Sequence, residues 1–278
     1  MATTCKFMRQ RPGNERERLR LFKQGPFRRR PVIEYSSEEL LICVIARLLQ
    51  GIESVAVGVS SPIPGSAALL QQALEPDTTR VTVLNSRQLQ ALNDGVSELF
   101  DMAAQGRVGA FFLSGGQIDG AGNINLIGVG DYPQMKVRWS GSFGSAMLYY
   151  LVPRVILFRE EHTRRTMVDK VDFISAPGSS EKDVYRPGGP HALITNLCAF
   201  SYQKATACFR LESIHPGHTL EEVQDQTGFR FELPDNVPET PVPEPDRLEL
   251  LRGKLAREIA DPYPAFASRV WQVEAAAG

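Results

Sequence analysis

The sequence predicts an open α/β fold, a mostly parallel sheet with helices on both faces, and two features carry that expectation. Segments with helical spacing and short apolar runs take turns from Ser36 to Phe158, as in folds whose parallel strands are joined by crossover helices. The runs SVAVGV (54–59), RVTVL (80–84) and VGAFFL (108–113) have little polar interruption, the pattern of strands covered on both sides. Hydrophobic residues make up 42% of the 278 residues and charged residues 23%, enough apolar surface for one main core and too much for a largely disordered chain.

Taken in order, Ser36-Ser37-Glu38-Glu39 has the S-x-x-E spacing in which a hydroxyl and a carboxylate satisfy free helix amides, and the apolar run Leu40 to Leu49 follows; a helix is expected here, ending at Gly51. After the strand over 54–59, residues 60–65 (SSPIPG) read as a loop at a strand's carboxyl end, 66–74 as a helix, and 80–84 as the second strand. A helix over 96–105, closed by Gly106, leads to the strand 108–113. Further strands are expected over 124–129 and 155–158, with a short helix near 145–150. The runs 191–200 and 208–213 follow each other with no helix between them, so that end of the sheet is expected to be mixed. Thr219-Leu220-Glu221-Glu222 opens one more capped helix up to Gly228.

This organisation divides the chain into a basic tail (1–37), a main domain (38–233), a proline-rich linker (234–246) and a C-terminal helix and tail (247–278). The linker PDNVPETPVPEPD holds five prolines and no periodicity, the mark of an extended segment. Leu248, Leu251, Leu255 and Ile259 recur at helical spacing, so the last segment is expected to dock on the domain or on a partner.

The net charge of −1 conceals a tail rich in Arg and Lys. Its apolar residues have no helical repeat and no aromatic ladder accompanies the charge, so it reads as a disordered extension and no nucleic-acid partner is expected. Cys5, Cys43, Cys198 and Cys208 form no C-x-x-C pair and, Cys5 apart, lie among apolar neighbours, which fits reduced thiols in a cytoplasmic protein. The longest apolar run of the first half follows two glutamates and is broken by Arg47, so neither a signal peptide nor a membrane span is expected. The absence of GxGxxG and P-loop patterns removes the usual nucleotide readings.

The stretch Leu113 to Asn125 (LSGGQIDGAGNIN) carries the most chemistry. Gly115 and Gly116 sit directly after an expected buried strand, where open α/β sheets place their ligands. Two unobstructed backbone amides there are candidates to hold the oxyanion formed when a thioester carbonyl is attacked. Asp119 and Asn123 suit the turn that follows, and a tight turn with no ligand is the competing reading.

Seen with its surroundings, the stretch gains a family resemblance. GGQIDGAGNIN, Gly130-Asp131-Tyr132, Lys136-Val137-Arg138, SGSFGS (140–145), Glu161-His162-Thr163-Arg164-Arg165 and VDKVDFISAPG (168–178), with Ser213-Ile214-His215-Pro216-Gly217, Glu222-Val223 and Thr227-Gly228-Phe229 after them, closely resemble the β subunit of glutaconate-type CoA-transferases. The resemblance covers residues 40–232 and implies a CoA-transferase-like (NagB/RpiA-like) fold and an α-type partner subunit. It further implies acyl-CoA bound at their junction, with no permanently bound cofactor and coenzyme A as a substrate moiety. The family's β-subunit glutamate, which attacks the thioester, is expected at the end of the second strand; here that place reads Val83-Leu84-Asn85-Ser86. An Asn amide cannot form the acyl anhydride, and Ser86 has no His nearby in sequence to act as its base. The chain also resembles, in that absence, the β subunit of heterodimeric enzymes that open steroid-derived rings at the CoA-ester stage with a carboxylate of the α subunit. Three readings therefore stand: CoA transfer between carboxylic acids, hydrolytic or ring-cleaving chemistry, and a scaffold without catalysis. Substrate contacts are expected from Gln117, Asp119, Asn123, Lys136 and Arg138, the last two sharing one side of an extended segment.

Of the remaining candidates, His162 with Arg164 and Arg165 reads either as a phosphate or partner contact or as a solvated charge cluster. Pro216 and Gly217 between His215 and His218 preclude a helical metal pair. Trp139, Tyr149 and Tyr150 read as core or interface rather than as adenine-stacking groups.

Overall fold

The computed structural model describes residues 34–84, 86–89 and 92–273; the basic tail up to residue 33, with Cys5, lies outside them. From Tyr35 onward the chain forms one unit. It opens with α1 (Ser37–Leu48), where Ser36 Oγ accepts the Glu39 amide at 3.2 Å and Glu39 Oε2 accepts the Ser36 amide at 3.0 Å. Both halves of the expected capping box are therefore made. β1 (Ser54–Val57), α2 (Pro62–Leu74), β2 (Arg80–Val83), α3 (Gly95–Ala104) and β3 (Ala110–Leu113) follow. α2 begins four residues earlier than its apolar spacing indicates, because Pro62 takes the first helical position, where a missing N–H costs nothing.

Two short ribbons come next, β4 (Gln117–Ile118) with β5 (Ile124–Asn125) and β6 (Gly128–Val129) with β7 (Val137–Arg138). The single strand expected over 124–129 is thus broken. Asn125 breaks it: its buried side chain accepts the amides of Ile127 and Gly128 and donates to the Gly128 carbonyl at 2.7 Å. A side chain at Gly128 would meet the Val137 carbonyl oxygen at 2.1 Å.

The chain closes with α4 (Ser145–Leu151), β8 (Arg154–Arg159), β9 (Pro190–Thr195), β10 (Cys198–Gln203), β11 (Cys208–Ile214), α5 (Leu220–Gln226), α6 (Pro245–Leu250), a wide turn over 251–255, α7 (Ala256–Ala260) and α8 (Pro264–Trp271). The run 191–200 is two strands rather than one. Thr195 Oγ1 accepts the amides of Leu197 and Cys198 at 3.2 Å and turns the chain there.

Seven strands form the main sheet in the order β11-β10-β9-β8-β3-β1-β2. Pairing is parallel from β2 to β9 and antiparallel from β9 to β11, so the mixed end lies where the sequence places it. Successive residues alternate between two cores: Val55, Val57, Ala110, Phe112 and Ile156 face α1, α2 and the C-terminal helices, while Ala56, Phe111, Leu113, Val155 and Leu157 face α3 and α4. Leu251, Leu255, Ile259 and Phe266 complete the first core, so the C-terminal segment docks on its own domain. The proline-rich stretch before it runs along β11, where Thr240 donates its amide to Ile214 at 2.8 Å, and continues to α1, where Arg47 donates to the carbonyls of Pro241 and Val242.

In α2, Gln71 is 1% exposed and neither side-chain polar atom has a partner among the described residues. A buried amide without hydrogen bonds opposes folding. Gln71→Met, of similar volume, is expected to stabilise the chain by about 1–2 kcal/mol, read as a higher denaturation midpoint in urea; an unchanged or lower midpoint would show that the amide is satisfied in solution.

Candidate active site

β1 leads through α2 to β2 on one side, while β3 lies on its other side. The strand order therefore reverses between β1 and β3, the position at which open α/β sheets leave a crevice at their carboxyl ends. A cleft of about 400 Å3 sits there. Ser60 to Pro64 form one wall, Phe112 to Ser114 the floor, and Phe158 to Glu161 the other wall. Ser60 holds a left-handed backbone at φ 59°, strain of the kind found at functional loops. α2 points its N-terminus into this wall with no side-chain cap.

The opposite wall is charged. Glu161 accepts from Arg165 at 2.6 Å and from Arg159 at 3.0 Å, and those bonds hold its carboxyl below the usual range. Arg159 keeps a buried Nε–H that has no partner among the described residues. Glu160 is exposed and makes no ion pair or hydrogen bond to a described residue.

The glycine segment lies beside this cleft, which reaches Ser114 and stops short of Gly115 and Gly116. The Gly116 amide is taken by the Asn125 carbonyl at 2.9 Å, and the Trp139 ring fills the space over its Cα, 2.1 Å from where a Cβ would stand. At Gly115 the same space is filled by Ile124 and the Gln117 carbonyl. Close packing accounts for glycine at both positions, and the Gly116 amide is engaged within the protein. Gln117, Asp119 and Asn123 are engaged within this segment and with the stretch 172–178. Gln117 Oε1 accepts from Asn125 and from the Asp172 amide, Asp119 accepts the amides of Ala121 and Asn123 at 3.1 Å, and Asn123 Oδ1 accepts the Gly178 amide at 3.0 Å. Lys136 and Arg138 are exposed on the β6–β7 ribbon, Arg138 lying 5.9 Å over the Tyr132 ring.

Asn85 lies outside the described residues. Ser86 beside it is buried, donates to Asp261 Oδ2 at 2.5 Å and accepts the Leu89 amide at 2.8 Å. No imidazole is its partner; its neighbour is a carboxylate from the C-terminal segment. His162 does not join Arg164 and Arg165 in a surface cluster, because its ring is buried between Thr195 and Thr227. Burial pushes the Cys43 thiol up to about 11 and the Cys198 thiol up to about 12, so neither is a thiolate nucleophile at neutral pH. Among the described residues no group of three or more His, Cys, Asp or Glu could hold a metal ion, and no helix is long and apolar enough to cross a membrane.

Sequence reasoning missed Ser60, Ser61, Ser114, Arg159, Glu160 and Asp261. Strand ends were the available signal for the first five, since each follows or ends a strand that was recognised. Asp261 had none.

The profile of the family described as Coenzyme A transferase matches residues 42–226. A 3-oxoadipate CoA-transferase chain from Pseudomonas knackmussii is 32% identical over 250 residues, 81% of this chain and 95% of the relative. A glutaconate CoA-transferase chain from Acidaminococcus fermentans is 30% identical over 162 residues, 56% of this chain and 58% of the relative. The cholesterol ring-cleaving hydrolase IpdB subunit of Rhodococcus jostii is 30% identical over 169 residues, 59% and 64% of the two chains. The crystal structure of IpdAB from that organism superposes with a TM-score of 0.71 at 25% identity, covering 87% of this chain and all of its own.

Proposed function

Because the chain belongs to the coenzyme A transferase family, we propose that it is a β-type subunit that works with an α-type partner on acyl-CoA thioesters and moves CoA between carboxylic acids. The observation that carries this reading is the cleft at the switch point of the sheet, with the N-terminus of α2 on one wall and Arg159, Glu160 and Glu161 on the other. The thioester lies in that cleft, CoA is substrate rather than resident cofactor, and the exposed Lys136 and Arg138 meet its phosphates by charge. Ser114 and Gly115, at the floor and its edge, take over the oxyanion contact that the Gly116 amide cannot make.

Covalent transfer needs a carboxylate, and Asn85 stands where the resembling family carries its glutamate. Glu161 is committed to two arginines, which leaves Glu160 as the carboxylate this chain offers to the thioester. The experiment is co-expression with the α-type chain, incubation with glutaconyl-CoA plus acetate, and borohydride or hydroxylamine trapping. The expected result is CoA transfer with the modification on Glu160, lost in Glu160→Gln. Turnover to free acid and CoA with no modified carboxylate would instead favour a second reading that Asn85 motivates, in which the partner's carboxylate activates water. A complex inert to thioesters would leave the scaffold reading standing.

A further inference from the structure

The connection between α7 and α8 is three residues long, Asp261-Pro262-Tyr263, and its two end residues reach two loops at the carboxyl edge of the sheet. Asp261 Oδ2 accepts three donors of the loop after β2: Ser86 Oγ at 2.5 Å, the Arg87 amide at 3.1 Å and the Gln88 amide at 3.4 Å. Ser86 Oγ in turn accepts the Leu89 amide at 2.8 Å, and Leu89 returns its carbonyl to the Val83 amide at 3.1 Å. The loop flanking position 85 is thereby closed on itself and fastened to one carboxylate. Two residues on, Tyr263 is buried and its ring lies so close to Gly65 in the first turn of α2 that a Cβ there would stand 2.6 Å away. Its hydroxyl is directed at the Gly58 carbonyl at 3.5 Å, in the loop that becomes the cleft wall. The two loops are themselves neighbours, since Leu84 donates its amide to Val57 at 3.0 Å.

We infer that Asp261 and Tyr263 are positioning residues, a brace that fastens the loop after β2 to the loop after β1, which forms one wall of the cleft. This deepens the proposed function and rests on it, because the cleft has to be where the thioester reacts for the brace to matter to turnover. Both residues lie beyond the family match, which ends at residue 226, so the brace belongs to the C-terminal segment of this chain rather than to the matched domain. The physical argument is that a loop end carries little packing of its own, and its geometry follows whatever polar partner satisfies its amides. A carboxylate accepting a hydroxyl and two amides holds such a loop by charge-assisted bonds, roughly twice as strong as neutral ones. Reacting groups displaced by about 1 Å lose on the order of a hundredfold in rate.

The test uses the co-expressed complex and three variants, Asp261→Ala, Asp261→Asn and Tyr263→Phe. Amide hydrogen exchange at residues 86–89 reads the brace directly, and kcat and KM for glutaconyl-CoA read its consequence. Asp261→Ala is expected to speed exchange at Arg87, Gln88 and Leu89 about tenfold or more and to lower kcat about 10- to 100-fold, with KM within about threefold of the parent and the thermal midpoint little changed. Asp261→Asn, which keeps an acceptor oxygen in place, is expected to recover most of both losses. Should Asp261→Ala fail to fold, Asp261→Asn carries the comparison with a smaller rise in exchange at residues 86–89, and Tyr263→Phe with faster exchange in the loop after β1. Unchanged exchange at 86–89, or faster exchange with parental kcat, would overturn the brace while leaving the proposed function intact. A parent complex with no thioester turnover would overturn the functional reading, and the exchange measurement would still judge the brace.

Discussion

Lowering the pH from 6.5 to about 4 is expected to strip the chain of roughly 3 kcal/mol of stability for each of two histidines. His162 and His215 are 3% and 2% exposed, and burial pushes both pKa values down from 6.5 to about 4. Neither ring is idle. His162 lies 2.8 Å from Thr195 Oγ1 and 2.9 Å from Thr227 Oγ1. His215 lies 2.8 Å from Thr240 Oγ1 and donates from Nε2 to the Thr195 carbonyl at 3.0 Å. That last contact fixes its tautomer, with Nδ1 accepting from the threonine hydroxyl.

The sign follows from the proton balance. Between pH 6.5 and 4 the unfolded chain holds a proton on each imidazole and the folded chain does not, so stability is full above 6.5 and falls as the pH drops to 4. Below 4 these two groups add no further slope. Because Thr195 touches both rings, the two contributions are not strictly additive. Urea titrations at pH 7, 5.5 and 4.5 check the result: the midpoint should fall steeply, and His215→Gln should flatten the slope. A midpoint indifferent to pH across that window would mean that the rings are hydrated in solution.

Replacing Glu39 by alanine is expected to cost about 3 kcal/mol, more than the usual loss of a helix cap. Glu39 is 3% exposed, and its two oxygens receive Arg252 Nε and Nη2 at 2.7 Å, the Ser36 amide at 3.0 Å and Trp271 Nε1 at 3.2 Å. Burial alone would raise its pKa, but the bonds from Arg252, Ser36 and Trp271 outweigh burial and hold the carboxyl below its usual range. One side chain thus caps α1 and latches the C-terminal helices to it. Alanine would leave four donors to find water at a packed seam, whereas glutamine keeps the shape and one acceptor, so Glu39→Gln should lose less. Thermal and urea denaturation of the two variants measure the difference. Equal, small losses from both would show that only the cap matters and that the latch contributes nothing.

Features governed by neighbours a few residues apart were legible in the sequence. The capping box at Ser36 and Glu39, the buried parallel strands and the mixed sheet end all follow from short spacings and side-chain alternation. The family, too, could be recognised from motifs in order along the chain. Yet the same local view did not show that Ile124, and a tryptophan ring more than twenty positions on, pack where side chains at Gly115 and Gly116 would stand. It grouped His162 with the arginines beside it, while the ring turns inward to threonines on two other elements.

Element order, layering and family were thus readable before any folding, because helix caps and strand alternation are written within one or two turns of chain. Folding alone settled which side chains share the cleft, Glu160 just after β8 and the α2 N-terminus after β1, and which hold the loop after β2, with Asp261 set against Ser86 from 175 residues away. Those meetings depend on strand order and on where the last helices dock, and the close packing that sets both is a property of the whole folded chain rather than of any window within it.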